Sequence, residues 1–307
     1  MRILVTGGAG FIGSNFVHYL LQNSEDTVVT LDALTYAGSK SNLESVLGHP
    51  RHEFVEGDTR DTDLVRELVS KCDAIVNFAA ESHVDRSIEG AKPFVETNVQ
   101  GTQVLLDAAK EFGVDRFLQI STDEVYGEIL NGKFSEDSPL NPRNPYAATK
   151  ASADLLAQSF ETTHDVPVVI TRTCNNFGPR QHEEKLIPKF IKRASRGQSL
   201  PIYGDGSNVR EWLYVEDNCA ALDLVLREGK IGEVYNIGSG IEKTTLEVTE
   251  AILDAVGAST NLIDFVEDRP GHDRRYALDT AKIESLGWSP TYSFEEGLNA
   301  TLNYYIA

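Results

Sequence analysis

Two short segments in the middle of the chain hold an acid, a base, a phenol and an ammonium group. Thr122-Asp123-Glu124 carries two adjacent carboxyls, and Tyr146 lies four residues before Lys150. Residues four apart on a helix share a face, so the Lys150 ammonium is expected to stabilise a phenolate and lower the pKa of Tyr146. Such a tyrosine can act as general base on an alcohol. The two segments predict proton transfer and hydride transfer in one pocket.

The amino terminus has the pattern of a dinucleotide-binding turn. A tyrosine four residues before a lysine is by itself common on solvated helix faces, so this second signal matters. An apolar strand at 1–6 leads to Gly7, Gly10 and Gly13, and an apolar helix follows. Glycines at this spacing let a pyrophosphate approach the backbone and the helix amino end. A second strand ends in Asp32, where an acid binds ribose hydroxyls and repels a 2′-phosphate. The pattern predicts NAD rather than NADP, against the alternative of a generic glycine turn.

Length and composition indicate one enzyme-sized protein. The chain has 307 residues, enough for a large core and a compact accessory region. It contains no apolar run of about eighteen residues and no secretory signal pattern, so we expect a cytoplasmic protein. Its three cysteines are far apart, odd in number and lack ligand spacing. We expect buried thiols, no disulfide framework and no metal site.

The chain is strongly acidic. It has 47 acidic and 28 basic residues, a formal charge of −19. This charge argues against nucleic-acid and anionic-membrane partners. It also suits a salt-rich cytosol, where repulsion between like charges is screened. We hold adaptation to salt as a hypothesis, because ordinary proteins can also be acidic.

Strands and helices alternate along the first half, which predicts an α/β fold: a doubly wound parallel sheet of the Rossmann type. Ligands of such sheets bind beyond the carboxyl ends of the strands. We predict a NAD-binding domain with the catalytic residues at 1–171 and a smaller, mainly sugar-nucleotide-binding region at 172–307, with some segments returning to the sheet. The further predicted elements are strands at 27–31, 52–55, 74–78, 116–120, 166–171 and 234–237, and helices at 61–71, 94–112 and 146–163.

The residues carry a family resemblance over the whole chain. The glycine turn, Tyr146 with Lys150 and the strand order resemble the extended short-chain dehydrogenases that modify nucleotide sugars. Within them, five separated segments resemble the dTDP-glucose 4,6-dehydratases: Asp32-Ala33-Leu34-Thr35-Tyr36-Ala37-Gly38, Ala79-Ala80-Glu81-Ser82-His83-Val84-Asp85, Thr122-Asp123-Glu124-Val125-Tyr126-Gly127, Arg172-Thr173-Cys174-Asn175-Asn176-Phe177-Gly178-Pro179 and Asp268-Arg269-Pro270-Gly271-His272-Asp273. The aspartate–glutamate pair discriminates best, since related 4-epimerases lack it and GDP-mannose dehydratases carry a serine before the glutamate.

The resemblance implies NAD-dependent dehydration of dTDP-glucose by a homodimeric lyase. Tyr146 would take the proton from the hydroxyl at carbon 4 while hydride passes to NAD, and Thr122 would hold that oxygen. Glu124 would remove the proton at carbon 5, and Asp123 would protonate the departing hydroxyl at carbon 6. Hydride would then return to carbon 6, giving a 4-keto-6-deoxy sugar that can lead to rhamnose and other deoxysugars.

The same resemblance, transferred residue by residue, implies two sets of binding residues. The cofactor set is Gly7, Gly10, Phe11, Ile12, Gly13, Asp32, Leu34, Thr35, Gly38, Asp58, Thr59, Ala79, Ala80, Ser82, Thr97, Ser121, Tyr146, Lys150 and Asn176. The substrate set is His83, Thr122, Asp123, Glu124, Asn175, Glu184, Lys185, Leu186, Pro201, Tyr203, Arg210, Asn236, Arg269 and His272. His83, Asn236 and His272 could instead be structural, and core filling is the expected role of Trp212.

Three alternatives stay open at this point. A nucleotide-sugar 4-epimerase needs no elimination acid or base, so the two carboxyls argue against it. A UDP-glucose dehydratase differs by one methyl group on the base, worth about 1–3 kcal/mol in an apolar pocket. A NAD-binding redox sensor would be expected to lose Tyr146 or Lys150, and both are present.

Overall fold

The computed structural model describes residues 1–268 and 272–306. Its strands are β1 (Arg2–Thr6), β2 (Thr27–Asp32), β3 (His52–Glu56), β4 (Ala74–Asn77), β5 (Arg116–Thr122), β6 (Val168–Thr173), β7 (Asn175–Phe177), β8 (Leu200–Tyr203), β9 (Val209–Tyr214), β10 (Val234–Ile237), β11 (Glu242–Thr244) and β12 (Ile263–Val266). Seven of them form one parallel sheet in the order β10-β6-β5-β4-β1-β2-β3. The predicted doubly wound parallel sheet is confirmed.

Helices lie on both faces of this sheet and in the carboxyl-terminal region. They are α1 (Phe11–Asn23), α2 (Thr62–Val69), α3 (Val84–Glu89), α4 (Lys92–Phe94), α5 (Thr102–Phe112), α6 (Pro145–His164), α7 (Leu186–Ser195), α8 (Val215–Glu228), α9 (Thr245–Val256), α10 (Ala281–Glu284) and α11 (Phe294–Ile306). Apolar side chains of α1 and α8 pack on one face, and those of α2 and α5 pack on the other. Covering both faces explains why nearly every residue of the central strands β1, β4, β5 and β6 is buried.

The helix predicted at 94–112 is divided in the structure. A π-helical segment, Val95–Gly101, precedes α5. Its Asn98 is buried, and the Asn98 amide group donates to Thr149 Oγ1 and to the backbone carbonyl of Glu81. These bonds join the segment to α6 and to the loop after β4. Apolar periodicity predicts the helix but gives no sign of the wider turns.

The carboxyl-terminal region builds a second core beside the large sheet. Its two small sheets have the orders β11-β9-β7 and β12-β8. Phe177, Phe190, Trp212 and Phe294 lie in one apolar cluster, so Trp212 fills the core as expected. The predicted strand at 234–237 joins the large sheet as β10, beside β6. The proposed domain boundary at 171 falls inside β6, which belongs wholly to the large sheet.

Within the described ranges, no helix is both long enough and apolar enough to cross a lipid bilayer. Of the three cysteines, Cys174 and Cys219 are buried and Cys72 is half-buried, and none is in a disulfide. The expectation of buried thiols therefore holds for two of them.

Candidate active site

A cavity of about 510 Å³ lies at the carboxyl ends of the parallel strands. It collects residues from the turns after β1, β2, β4 and β5 and from the start of α6, which is where such sheets bind ligands. The predicted residues on its wall are Gly7, Gly10, Phe11, Ile12, Gly13, Asp32, Thr35, Gly38, Asp58, Thr59, Ala79, Ala80, Ser82, Thr97, Ser121, Thr122, Asp123, Glu124, Tyr146, Lys150, Asn175, Asn176, Glu184 and Lys185.

The glycine turn brings the backbone close to one end of the cavity. Gly7 has φ +65°, and its N–H donates to the Leu31 carbonyl at 2.8 Å. A Cβ on Gly13 would lie 2.3 Å from the Gly7 carbonyl oxygen, so a side chain there would force this tight turn apart. Helix α1 then begins with no side-chain cap. Its first backbone N–H groups and its positive dipole end form a site that fits a pyrophosphate.

Asp32 ends β2 beside this turn and is held there by backbone donors. Oδ2 accepts from the Ala9 N–H at 2.9 Å, and Oδ1 accepts from the Leu34 N–H at 2.8 Å. Burial raises the pKa of the Asp32 carboxyl. Leu34 itself is not on the cavity wall, because its side chain packs against the core. The Leu34 backbone orients Asp32, and the place of Leu34 in the cofactor set stays a prediction.

Asp123 and Glu124 differ sharply in their surroundings. Asp123 is 2% exposed; its Oδ1 accepts from Thr122 Oγ1 at 3.2 Å, and its Oδ2 has no hydrogen-bond partner among the described residues. Burial, followed by the charges of Glu124 and Glu211, raises the pKa of Asp123 well above its usual range. The pair thus contains a carboxyl that favours the protonated form. Such a group is suited to act as a general acid.

Glu124 is oriented by a residue from the next helix. Asn144 Nδ2 donates to Glu124 Oε2 at 3.0 Å, and Asn144 Oδ1 accepts from the Ala147 N–H at 2.8 Å. Asn144 therefore caps α6 and binds the neighbouring carboxylate with one side chain. Asparagine followed by Pro145 is a recognisable helix start. The sequence does not reveal the hydrogen bond from Asn144 to Glu124, because this bond joins two separate segments of the chain.

Tyr146 and Lys150 lie on one face of α6 and both line the cavity, as their spacing predicts. The sequence predicts that Lys150 lowers the pKa of Tyr146, but the groups of the protein do not lower it. Burial raises the pKa of Tyr146 and the Glu124 charge adds to this, while the Thr122 hydrogen bond opposes it. The Lys150 ammonium donates instead to the Ile120 carbonyl. Burial lowers the pKa of Lys150 to about 8.

Several predicted substrate residues do not themselves line this cavity. His83 caps α3, with Nε2 3.6 Å from Glu184 Oε2. Arg210 donates to the Asp273 carbonyl at 2.9 Å, and its guanidinium lies 4.4 Å from the Tyr276 ring centroid. The others belong to the carboxyl-terminal region, namely Leu186 at the start of α7, Pro201 and Tyr203 on β8, and His272, whose ring centroid is 6.2 Å from that of Tyr203. Arg269 lies outside the described residues.

Asn236 is a structural residue, which corrects the substrate assignment. It is fully buried. Its Oδ1 accepts from the Tyr126 hydroxyl at 2.7 Å, and its Nδ2 donates to the carbonyls of Phe134 and Asp279 at 3.0 and 3.2 Å. These bonds use the polar atoms of the side chain within the protein. They leave nothing to face a ligand.

Sequence reasoning missed part of the cavity wall. Glu81, Cys174, Gln181 and His182 line it, as does Arg60, which pairs with Asp58 at 2.7 Å. Glu81 and Cys174 lie within the quoted segments of family resemblance, so their position was a usable signal. Gln181 and His182 follow the last of the cavity-lining strands, where only the folded chain shows their orientation.

Comparison with known proteins identifies the family. The family model described as GDP-mannose 4,6 dehydratase matches residues 4–301. The chain belongs to this family. It is 72% identical over 306 residues, covering 100% of the chain and 99% of the relative, to the low-salt glycan biosynthesis protein Agl12 of Haloferax volcanii. It is 52% identical over 311 residues to a dTDP-glucose 4,6-dehydratase of Streptomyces niveus, covering 99% of the chain and 93% of that relative.

A solved member of the same family has the same fold. The crystal structure of DesIV, a dTDP-glucose 4,6-dehydratase from Streptomyces venezuelae with NAD bound, superposes with a TM-score of 0.98 and 53% identity. The match covers 100% of this chain and 97% of that one. The resemblance to the dTDP-glucose 4,6-dehydratases is therefore confirmed for the whole chain.

Proposed function

We propose that this protein is a hydro-lyase that converts dTDP-glucose to dTDP-4-keto-6-deoxyglucose with NAD as a regenerated cofactor. The observation that carries the proposal is the presence of a buried acid, Asp123, and a second carboxylate, Glu124, on the same cavity wall as Tyr146 and Lys150. Oxidation alone would need the tyrosine and the lysine. Elimination of water also needs an acid and a base.

The glycine turn and Asp32 are the residues that would hold the cofactor. The uncapped start of α1 fits the pyrophosphate, and the Asp32 carboxylate at the end of β2 fits the adenosine ribose. Lys150, which also lines the cavity, would supply positive charge beside the reacting groups. NAD, when bound, supplies the hydride acceptor and donor, and its positive charge favours a phenolate.

The first step oxidises carbon 4 of the sugar. Tyr146 removes the hydroxyl proton while hydride leaves carbon 4, and Thr122 binds the same oxygen. The protein alone raises the pKa of Tyr146, so the phenolate depends on positive charge beside it. Lys150 contributes such a charge when it is protonated.

The second step removes water across carbons 5 and 6. A ketone at carbon 4 acidifies the carbon 5 proton, which Glu124 takes, oriented by Asn144. Asp123 gives its proton to the departing carbon 6 hydroxyl, which leaves as water. Its raised pKa suits that role, because a carboxyl must be protonated before it can donate.

The third step restores the cofactor. Hydride returns to carbon 6, and Glu124 gives a proton back to carbon 5. The net change is loss of one water, with no net oxidation or reduction. Glu184, Lys185 and Asn175 line the cavity and are proposed to bind the sugar nucleotide, with His83, Leu186, Pro201, Tyr203, Arg210, Arg269 and His272 as further proposed contacts.

Mass spectrometry of sugar nucleotides incubated with the purified protein tests this proposal. Without added reductant, dTDP-glucose is expected to lose about 18 mass units, the mass of one water, while the amount of NAD stays constant. UDP-glucose in a parallel tube identifies the preferred base. An unchanged mass with inversion at carbon 4 would indicate a 4-epimerase, and no change with either sugar would favour a redox sensor.

A homodimer is the proposed assembly. Of the apolar positions on α5 and α6, Leu105 is fully buried against the sheet, whereas Leu155 is 57% exposed. An exposed leucine next to a packed helix pair is suited to contact a second copy. Light scattering is expected to give about twice the 33.8 kDa chain mass, and Leu155→Glu is expected to reduce it. A single-chain mass for the unmodified protein would refute the dimer.

The site of action and the use of the product are also proposed. We place the enzyme in the cytoplasm, where NAD and nucleotide sugars are made, and cell fractionation tests this. The name of the Haloferax relative, a glycan biosynthesis protein, supports use of the deoxysugar in a glycan. Deletion of the gene is then expected to remove a deoxyhexose from that glycan, detected by its mass.

A further inference from the structure

A buried group of charges lies beneath the cavity, on the side of α6 that faces the sheet. Lys150, Asp154 and Arg172 are 4%, 0% and 2% exposed, respectively. Tyr146, Lys150 and Asp154 follow one another at intervals of four residues, so they lie along one face of the helix. The reaction steps above use the first two and leave Asp154 without a role.

Asp154 accepts hydrogen bonds from two neighbouring strands. Its Oδ2 accepts from Ser121 Oγ on β5 at 2.9 Å and from Arg172 Nε on β6 at 3.0 Å. Arg172 Nη1 donates to the Tyr126 hydroxyl at 3.0 Å. Asp154 Oδ1 has no hydrogen-bond partner among the described residues. One buried carboxylate thus faces two buried cations, Lys150 on its own helix and Arg172 across from it.

We propose that Asp154 is a positioning residue that keeps Lys150 protonated, and that Arg172 limits this effect by sharing the same carboxylate. The proposal rests on the proposed function only in that Lys150 must be a cation to support the Tyr146 phenolate. The effect of Asp154 and Arg172 on the charge of Lys150 is inferred from the buried cluster itself. It holds whichever sugar the enzyme binds.

The charges around the cluster support these opposite roles of Asp154 and Arg172. Burial lowers the pKa of Lys150 to about 8, and the Asp154 charge opposes that fall. Burial raises the pKa of Asp154, opposed first by Arg172 and then by Lys150. The phenols of Tyr126 and Tyr146 also face the cluster; burial raises their pKa values, so both are neutral near pH 7 within the protein alone. The carboxyls of Asp123 and Glu124, in the turn after β5, act on Tyr146 as Asp154 does. The Glu136 carboxylate, which accepts from the Asn236 N–H, also acts on Tyr126.

Two substitutions should shift the pKa of Lys150 in opposite directions. Asp154→Asn removes the opposing charge and leaves two buried cations, so the pKa of Lys150 should fall by about one unit or more. Arg172→Gln removes the competing cation, so the pKa of Lys150 should rise. Arg172→Lys is the matched control: it keeps the positive charge and should leave the pKa of Lys150 near the unmodified value.

The direct measurement is an NMR titration of protein labelled with ¹³C at the lysine ε-carbon, with the Lys150 signal assigned from Lys150→Arg. It does not depend on turnover, so it decides the role of Asp154 even if dTDP-glucose proves not to be the substrate. With the correct substrate, the alkaline limb of kcat should move to lower pH in Asp154→Asn and to higher pH in Arg172→Gln.

Opposite shifts in the two variants, with Arg172→Lys unchanged, support the proposal. Equal titration of Lys150 in all variants, or shifts in the same direction, overturns it. If Asp154→Asn fails to fold, the comparison of Arg172→Gln with Arg172→Lys still decides, because a role limited to packing predicts no difference in the Lys150 titration. Circular dichroism checks the fold of each variant.

Discussion

The Asn144 side chain joins the two halves of the site: its amide nitrogen donates to Glu124 Oε2 at 3.0 Å while its amide oxygen caps the helix that carries Tyr146 and Lys150. The proposed base for carbon 5 and the phenol for carbon 4 are therefore held by the same residue. Any movement of the first turn of α6 would change both positions.

Asn144→Asp separates these two functions. Aspartate caps a helix as well as asparagine does, so stability should change little. It cannot donate to Glu124, and its negative charge should repel that carboxylate and disturb its position. We expect kcat to fall about tenfold or more, up to the 10²–10⁴ that general acid–base catalysis contributes, with loss of solvent deuterium incorporation at carbon 5.

Asn144→Ser is the control for the charge, because serine also caps but brings no carboxylate. It should retain more activity than Asn144→Asp and the same thermal stability. Full activity of Asn144→Asp would show that the bond to Glu124 has no part in the reaction.

Asp123→Asn should make the protein more stable and less active. The folded-state pKa of Asp123 is raised, so the folded chain holds its proton more tightly than the unfolded chain does. The raised pKa therefore lowers the free energy of unfolding as pH rises above the usual carboxyl pKa of about 4. At lower pH this loss of stability is absent. The variant should melt a few degrees higher at neutral pH but not at pH 3, and should lose most dehydration.

The control for Asp123→Asn is the exposed Asp137→Asn, a carboxyl close in sequence but outside the cavity wall. It should change neither the melting temperature nor turnover. An equal gain in melting temperature for Asp123→Asn at pH 3 and at neutral pH would refute the raised pKa.

Gly13→Ala should disrupt the cofactor turn more than Gly10→Ala. A Cβ on Gly13 would meet the Gly7 carbonyl oxygen at 2.3 Å and the Gly8 Cα at 2.9 Å, both rigid backbone atoms. A Cβ on Gly10 would meet only the Gly7 carbonyl oxygen, at 3.2 Å. We expect Gly13→Ala to lose about 1–3 kcal/mol of stability, as in overpacked sites, and to lose NAD affinity. Calorimetric NAD titration and thermal melting measure both; equal behaviour of the two variants would contradict this account.

Salt should stabilise the protein if its charge of −19 is an adaptation. Acidic self-repulsion is screened over about 10 Å at 0.1 M salt and over about 3 Å at 1 M. The 72% identity with a protein of the salt-loving Haloferax volcanii supports this hypothesis. Melting temperature and activity should rise between low and molar potassium chloride. A protein equally stable and active at both concentrations would refute the adaptation.

The sequence predicts the large sheet and the cofactor end of the site well, because both depend on local patterns. The turn from Gly7 to Gly13, Asp32 at a strand end, and the spacing of Tyr146 and Lys150 are each visible within a few residues. The pKa of Tyr146 was not predictable in this way. This pKa depends on burial and on the charge of Glu124, which comes close to the tyrosine only when the chain is folded.

The carboxyl-terminal predictions were weaker for the same physical reason. Asn236 reads as a polar residue in a short strand, and only the fold shows that Tyr126, Phe134 and Asp279 use its polar atoms. Asp154 reads as one more polar position on α6. Its burial between two cations becomes visible only when β5 and β6 are placed beside the helix.

The most direct test of the central claim follows the hydrogen atoms of a single turnover. With dTDP-glucose deuterated at carbon 4, incubated in ordinary water, the account predicts that the deuterium appears at carbon 6 of the 4-keto-6-deoxy product. NMR of the product reports the position of the deuterium. Deuterium lost to solvent, or retained at carbon 4 of an unchanged or inverted sugar, would contradict hydride return to carbon 6 and with it the proposed dehydration.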